Sequence, residues 1–236
     1  MELFSFSRLN LYQTCPYRFY KRYVEKLKEP DTYPLALGKA VHKAIEERLN
    51  GTDFQTAIEL GMLEANFHPE VTEEELAWLV SNAPIQDLYG RVKTELHFEL
   101  PLAEGADEPR LIGYIDIVGE GFIIDWKTNR IPYEVKDNHQ LALYAWATNQ
   151  LYGWTDVHAT LYFLRFNRYD SVVLGLEEME EAKKWAYDLA KEIQGKVAIT
   201  KHLPELKNEL FPAKVQNFCA NCPFAYDCHL NFSPFA

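Results

Sequence analysis

Three charged residues lie inside two segments that are otherwise apolar. Asp116 falls in residues 112–118, and Asp125 and Lys127 fall in residues 122–128. Burying a charge is costly unless the charged group is paired or bound to a metal. Two carboxylates supply the oxygen ligands that Mg²⁺ or Mn²⁺ prefers, and a lysine beside them can orient a water or neutralise charge developing on a phosphate. The alternative is a buried Asp–Lys ion pair with a purely structural role.

The two segments are joined by a Gly-Glu-Gly link at residues 119–121, which predicts a β-hairpin. Asp125 and Lys127 have one residue between them, so on a strand both side chains project from the same face. With the first two residues of the link as the turn, Asp116 pairs with Ile123 and lies diagonal to Asp125 on that face. A slip of one residue would put the carboxylates on opposite faces. The predicted site therefore depends on the register of the hairpin.

Two pairs of polar residues have the i, i+4 spacing that places both side chains on one face of a helix. They are His42 with Glu46, and Gln140 with Tyr144. An imidazole can ligate Mn²⁺ and tolerates Mg²⁺, although a lone helix histidine is more often an ordinary surface or core residue. Gln140 and Tyr144 could contact a phosphate or brace Lys127, and ordinary helix positions are the alternative.

The elements that must position these residues follow a definite order along the chain. The first predicted helix, residues 7–23, should break or restart at Pro16. Further helices are predicted at 35–49, after each of two capping boxes that begin at Thr52 and Thr72, and at 136–152 and 176–196. Strands are predicted at 91–102, 111–118, 122–126, 159–167 and 170–176, and an irregular tail from residue 203. This order predicts an α/β fold with one mixed central sheet flanked by helices.

The bulk composition describes a globular protein of 236 residues that is 47% hydrophobic and carries a net charge of -11. This charge argues against binding nucleic acid by overall attraction. A local basic run softens the objection, and we expect Arg18, Lys21 and Arg22 to contact DNA. No apolar run approaches the roughly 20 residues that cross a bilayer, and no secretory signal is visible, so we expect a cytoplasmic protein without membrane partners.

Four cysteines stand in an unequal arrangement, one near the start of the chain and three in its tail. They are Cys15, and then Cys219, Cys222 and Cys228 in the pattern C-x₂-C-x₅-C. Four thiolates can bind a [4Fe–4S] cluster or a tetrahedral zinc. Two disulfides, or four unrelated buried cysteines, are the alternatives. A link from Cys15 to the tail would close nearly the whole polypeptide, a constraint on the unfolded state of about 4–5 kcal/mol in the simple entropy model.

Four motifs, in this order and spacing, resemble those of the RecB-like PD-(D/E)xK nuclease family. They are Gly38–Glu46 (GKAVHKAIE), Gly113–Asp116 (GYID), Asp125–Lys127 (DWK) and Gln140–Tyr144 (QLALY). The resemblance runs from about residue 5 to residue 228. It implies a restriction-endonuclease-like core, with metal ligands at His42, Asp116, Asp125 and the Trp126 carbonyl. It also implies that Lys127 is the catalytic lysine and that Gln140 and Tyr144 support the site.

The cysteine arrangement resembles that of the iron–sulfur nucleases of the AddB and CRISPR-associated type. This resemblance implies a [4Fe–4S] cluster rather than zinc, with the N- and C-terminal ends joined at the cluster. We therefore expect a single nuclease domain over residues 1–236, in which residues 1–30 and 200–236 form the cluster-binding lobe.

The expected function is a metal-dependent deoxyribonuclease, an exonuclease that acts on DNA ends or single strands with Mg²⁺ or Mn²⁺. A non-catalytic iron–sulfur DNA-binding or scaffold subunit is the alternative, and a redox protein is a third that only the cysteines favour. Expected partners are DNA and a helicase or CRISPR adaptation protein, in DNA repair or CRISPR adaptation.

Overall fold

A mixed β-sheet lies at the centre of the structure, a computed structural model that describes residues 2–232. Within those residues the sheet has six strands: β1 (Leu3–Phe4), β2 (Lys93–Pro101), β3 (Arg110–Gly119), β4 (Phe122–Lys127), β5 (Val157–Phe163) and β6 (Arg168–Leu174). The strand order is β1-β3-β4-β5-β6, and β2 also pairs with β3. The β1–β3 and β4–β5 pairs are parallel, whereas β3–β4 and β5–β6 are antiparallel. The predicted mixed sheet with flanking helices is confirmed.

The helices agree with the predicted order, and most differ only at their ends. They are α1 (Phe6–Thr14), α2 (Pro16–Phe19), α3 (Tyr33–Leu49), α4 (Phe54–Glu64), α5 (Glu73–Ser81), α6 (Ile85–Leu88), α7 (Gln140–Tyr152), α8 (Leu176–His202), α9 (Lys207–Leu210) and α10 (Ala225–Phe232). As predicted, the first helix breaks before Pro16, because Cys15 has an extended backbone and Pro16 starts a new helix. The tail predicted to be irregular contains α9 and α10, so that prediction was wrong.

The described chain separates into two compact units. The larger unit comprises residues 31–98 and 113–182, and the smaller unit comprises residues 2–30, 99–112 and 183–232. The four cysteines lie in the smaller unit, and the predicted catalytic residues lie in the larger one. The prediction of a single nuclease domain with a cluster-binding lobe at residues 1–30 and 200–236 stays a prediction.

In the larger unit, α3 packs closely against α4. The side chains of Ala40, Val41, Ala44 and Ile45 form the fully buried face of α3. A Cβ added to Gly61 of α4 would lie 2.6 Å from the carbonyl oxygen of Ala40, so only glycine permits this approach. His42 projects from a different, half-buried face of α3. Packing of α3 against α4 therefore fixes the helix that carries the predicted histidine ligand.

The turn of the β3–β4 hairpin differs from the predicted turn by one position. Gly119 pairs with Phe122, and Val118 pairs with Ile123, so the turn residues are Glu120 and Gly121. Gly121 has a φ of +74°, which a glycine adopts without strain and which explains the turn's position. The predicted pairing of Asp116 with Ile123 was therefore wrong. Because the partner of each residue moves by two positions, every side chain keeps its face.

Within residues 2–232, no helix combines the length and the apolar character needed to cross a bilayer.

Candidate active site

Two buried carboxylates stand on neighbouring strands of the larger unit. Asp116 on β3 is 7% exposed and Asp125 on β4 is 2% exposed. The hairpin pairs Ile117 with Ile124, and continuing this register by one residue puts Asp116 across from Asp125. The hairpin thus brings together two acids that the sequence separates.

His42 reaches these strands from α3. Its Nδ1 lies 3.3 Å from Asp116 Oδ1, and its Nε2 lies 3.0 Å from the carbonyl oxygen of Trp126. The other oxygen of Asp116 accepts a hydrogen bond of 2.7 Å from the backbone N–H of Trp126. The His42 imidazole therefore contacts two other groups predicted as metal ligands, the Asp116 carboxylate and the Trp126 carbonyl.

Glu95 joins this group, although the sequence analysis did not select it. One ligand atom each from His42, Glu95 and Asp116 lie within 4.8 Å of one another. Glu95 lies in β2 with a φ of +47°, a left-handed conformation that a non-glycine residue rarely adopts. Thr94, Glu95 and Leu96 are consecutively half-buried, so the strand loses its alternation at this point. In a regularly alternating strand, Glu95 would project from the face opposite Thr94 and Leu96.

A second set of contacts surrounds Asp125. Lys127 Nζ lies 2.6 Å from Asp125 Oδ2 and donates a hydrogen bond of 2.9 Å to Gln140 Oε1. The amide nitrogen of Gln140 donates to Asp125 Oδ1 at 2.9 Å and to the Tyr144 hydroxyl at 3.3 Å. The Tyr144 ring packs edge-to-face on Phe98 with centroids 6.0 Å apart. The predicted residues Lys127, Gln140 and Tyr144 are therefore brought together on Asp125.

Acidic side chains outnumber basic ones in this buried site. Burial raises the pKa of Glu95 to about 7, and the charge of Asp116 adds to this effect. Burial also raises the pKa of Asp125 against the opposing charge of Lys127. For His42, burial lowers the pKa but Asp116 outweighs it and raises the pKa to about 9. Crowding of carboxylates in a buried place therefore disfavours their charged forms.

One oxygen in the site lacks a hydrogen bond. Asp125 Oδ2 is buried and has no hydrogen-bond partner of acceptable geometry, although Lys127 Nζ is close. A buried carboxylate oxygen without a hydrogen bond is costly. A cavity of about 570 Å³ opens beside His42 and Glu95, and Tyr114 also lines it. These features fit a divalent cation, because carboxylate and carbonyl oxygens with one imidazole suit Mg²⁺ or Mn²⁺.

A sequence model of the PD-(D/E)XK nuclease superfamily matches residues 3–229. The chain belongs to this superfamily. No curated protein matches the sequence. A solved structure described as "Crystal structure of SSO0001" is 15% identical with a TM-score of 0.39, and the match covers 88% of this chain and 92% of that chain. That likeness is too distant to support any statement about function.

PD-(D/E)XK nucleases use divalent metals, and His42, Glu95 and Asp116 form a possible site for one in this chain. The mixed sheet with flanking helices is consistent with the restriction-endonuclease-like fold of this superfamily. Membership therefore indicates a metal-dependent nuclease.

No disulfide joins the four cysteines of this PD-(D/E)XK nuclease, all of which are described and lie in the smaller unit. Cys15 is buried between α1 and α2. Cys219 begins a 3₁₀ turn that ends before Cys222, and Cys228 lies on α10. Burial raises the pKa of Cys228, and the charges of Cys15, Cys222 and Cys219 raise it further. The four sulfur atoms are therefore near enough to interact electrostatically.

The three residues predicted to contact DNA form ion pairs with carboxylates of the smaller unit. Both Arg18 and Arg22 pair with Glu29, and the Arg18 contacts are 2.8 and 3.0 Å. Lys21 is 7% exposed and pairs with Glu25 and Asp227. Folding thus brings Glu29 and the distant Asp227 to this basic run, in addition to Glu25. A phosphate would have to compete with these carboxylates.

Proposed function

We propose that this PD-(D/E)XK nuclease is a RecB-like deoxyribonuclease that hydrolyses phosphodiester bonds as an exonuclease on DNA ends or single strands. The observation that supports it most is the meeting of Asp116, Asp125 and Lys127 at one buried place beside an open cavity. A structural ion pair would need one carboxylate for one lysine. Here three further groups are surplus to the Asp125–Lys127 pairing, because His42, Glu95 and Asp116 place ligand atoms within 4.8 Å of one another.

The metal would be held by His42, Asp116, Asp125 and the Trp126 carbonyl, with Glu95 as an additional ligand. The unsatisfied Asp125 Oδ2 and the raised pKa of Glu95 support this assignment, because a cation would relieve both. Bound there, Mg²⁺ or Mn²⁺ supplies Lewis acidity toward a phosphate oxygen and makes a water more acidic.

Lys127 acts as a cation and not as a base in this proposal. Burial disfavours its charge, but the adjacent Asp125 raises the pKa of Lys127 above its ordinary value, so the amine stays protonated. An ammonium in this position can donate to negative charge that develops on the phosphate. Gln140 fixes the ammonium relative to Asp125, since one amide contacts both groups. Tyr144 holds the amide in that orientation.

Digestion of end-labelled DNA with Mg²⁺ or Mn²⁺ tests the catalytic assignment. We expect Asp116→Asn and Lys127→Met each to lower the cleavage rate by roughly 100- to 1000-fold. Lys136→Met is the matched control, since Lys136 is an exposed lysine of the same unit, and it should cleave as the wild type does. Equal rates in all four proteins would contradict the mechanism.

The exonuclease assignment needs substrates that differ only in having ends. We expect linear single strands to be degraded and circular single strands of the same sequence to survive. An RNA strand of that sequence tests the preference for DNA. Rapid cleavage of the circle would overturn the exonuclease proposal but leave the nuclease proposal intact.

For the cysteines we propose a [4Fe–4S] cluster held by Cys15, Cys219, Cys222 and Cys228. The influence of Cys15, Cys219 and Cys222 on the pKa of Cys228 supports it. Contacts of α2 with α10 also favour it, because the Tyr17 hydroxyl donates to Asp227 at 2.5 Å and the Tyr17 ring packs on Phe232. These contacts hold the elements that carry the first and last thiols. The proposed role is structural, joining the two ends of the chain.

Anaerobic reconstitution with iron and sulfide tests the cluster. We expect visible absorption in the wild type, and its loss with a lower melting temperature in Cys15→Ala, because an open chain regains up to about 4–5 kcal/mol of unfolded-state entropy. An unchanged spectrum and melting temperature in Cys15→Ala would exclude the cluster as a staple. Zinc, detected by metal analysis without visible absorption, would replace the iron–sulfur assignment.

Beside DNA, the proposed partners are a helicase or a CRISPR adaptation protein, on the RecB-like and iron–sulfur resemblance alone. Arg18 and Arg22 are the proposed DNA contacts of the smaller unit that solvent can reach.

A further inference from the structure

Tyr114 is an aromatic side chain that the nuclease mechanism does not use. It lies on β3 two positions before Asp116, so the two side chains project from the same face of the strand. The strand rise places them roughly 7 Å apart. Tyr114 is 54% exposed and lines the cavity that also contains His42 and Glu95.

The Tyr114 ring is supported from one side. His97 on β2 packs against it, with ring centroids 4.8 Å apart and an interplanar angle of 42°. Such a contact restrains the ring and leaves its remaining surface open to the cavity. A restrained aromatic surface next to a reaction centre binds flat groups without a large loss of side-chain entropy.

The charged residues that line the same cavity limit what can bind there. Glu46, Glu64 and Glu95 line it. Its two lysines are already paired with carboxylates, Lys39 with Asp31 and Lys43 with Glu46 and Glu47. The acidic lining of the cavity therefore attracts phosphates poorly. A base–aromatic contact does not depend on charge and contributes about 1–3 kcal/mol per base.

We propose that Tyr114, backed by His97, stacks on an unpaired nucleobase one nucleotide from the phosphate that is cleaved. This inference rests on the proposed nuclease function and adds the side chains that distinguish unpaired from paired DNA. In a duplex both faces of an internal base are covered by its neighbours. A stacking site therefore selects single strands and frayed ends over intact duplex.

Fluorescence anisotropy with short single-stranded DNA tests the stacking site, with Ca²⁺ in place of Mg²⁺ to slow turnover. We expect Tyr114→Leu to raise the Kd by about 5- to 100-fold, and Tyr114→Phe to change it less than about twofold, because stacking needs the ring and not the hydroxyl. The slope of affinity against salt should not change, since no phosphate contact is removed. Tyr169→Leu, an exposed tyrosine outside the cavity, is the matched control.

The second measurement compares the affinities for strands that carry an abasic site at each position in turn. At one position it should weaken binding by the wild type and have no further effect on Tyr114→Leu. Wild-type affinity in Tyr114→Leu, or an equal loss in Tyr114→Phe, would overturn the stacking proposal. Unaltered melting of both variants ensures that the comparison reports binding.

The cleavage assay on the same strands separates this proposal from the proposed function. If the wild type cleaves DNA and Tyr114→Leu binds and cleaves equally well, only the stacking proposal fails. If no DNA is cleaved but Tyr114→Leu still loses affinity for single strands, the nuclease proposal fails and the stacking site stands.

Discussion

Glu95→Gln should stabilise the metal-free protein and weaken its response to metal. The substitution keeps the size of the side chain and removes its charge. In the folded protein the pKa of Glu95 is about 7, against an ordinary value of 4.5, because burial and Asp116 disfavour the carboxylate. The folded state therefore binds a proton more tightly than the unfolded state. Stability falls as the pH rises from about 4.5 to about 7, and the glutamine variant escapes this loss.

The size of the effect follows from the two pKa values. A rise in pKa from 4.5 to about 7 corresponds to roughly 3 kcal/mol at 1.36 kcal/mol per pKa unit. Because the Glu95 carboxylate is only half-buried, solvent screening reduces this to about 1–2 kcal/mol. For a protein of 236 residues that difference is about 2–8 °C in melting temperature.

Thermal melting in EDTA at pH 5 and pH 8, and then against a Mn²⁺ titration at pH 8, checks both halves of the prediction. In EDTA, Glu95→Gln should melt higher than the wild type at pH 8 and close to it at pH 5. In Mn²⁺, the wild type should gain stability by mass action, whereas the variant should need at least about tenfold more metal for the same gain. Glu64→Gln, an exposed acid that lines the same cavity, is the control and should behave as the wild type does.

Two results would refute this reasoning. If Glu95→Gln melts at or below the wild type in EDTA at pH 8, the carboxylate is not destabilised by its neighbours. If it keeps the full response to Mn²⁺, Glu95 is not a ligand.

Three further predictions concern packing, an ion pair and the histidine. Gly61→Ala should lower the free energy of unfolding in urea by about 1–3 kcal/mol, because the added Cβ would collide with a backbone carbonyl. Gly195→Ala in α8 has open space around it and should leave the free energy of unfolding unchanged or raise it by up to about 1 kcal/mol. Equal effects of the two substitutions would contradict the close packing of α3 on α4. Burial raises the pKa of Glu75, but hydrogen bonds from Tyr33 and Arg165 outweigh it and lower the pKa below 4.5. The stability from the Glu75–Arg165 ion pair is therefore lost as the pH falls through the lowered pKa. Arg165→Met should flatten the acid limb of a pH–stability profile, and an unchanged limb would count against the ion pair. Because the pKa of His42 is raised to about 9 and only neutral imidazole binds metal, Mn²⁺ binding at pH 8 should release a proton. Calorimetry would detect the proton as a binding heat that depends on the buffer. A buffer-independent heat would exclude His42 as a ligand.

Several features of the site could be predicted from the sequence because they depend on local patterns. Charged residues inside apolar strands, and the alternation of Asp125 with Lys127, select the proposed catalytic face without any tertiary information. The same holds for His42 on its amphipathic helix and for the restart of the helix at Pro16. Each of these signals is carried by residues a few positions apart.

Other features could not be predicted because they join residues that are distant in the sequence or depend on a single dihedral angle. The one-position move of the hairpin turn rests on Gly121 taking a positive φ, which a Gly-Glu-Gly link leaves open. Glu95 joins the metal group because one left-handed residue cancels the alternation of β2. Asp227 neutralises Lys21 from more than 200 positions away, which no local pattern reports.

By itself the sequence determined which side chains could perform the chemistry and on which strand and helix faces they stand, because periodicity and turn residues act over short distances. Only the tertiary structure decided how many acids surround the cavity, which cations are already paired, and that Tyr114 stands open beside them. The physical reason is that burial and electrostatic pairing are properties of distances in space, and the chain sets those distances only when it folds.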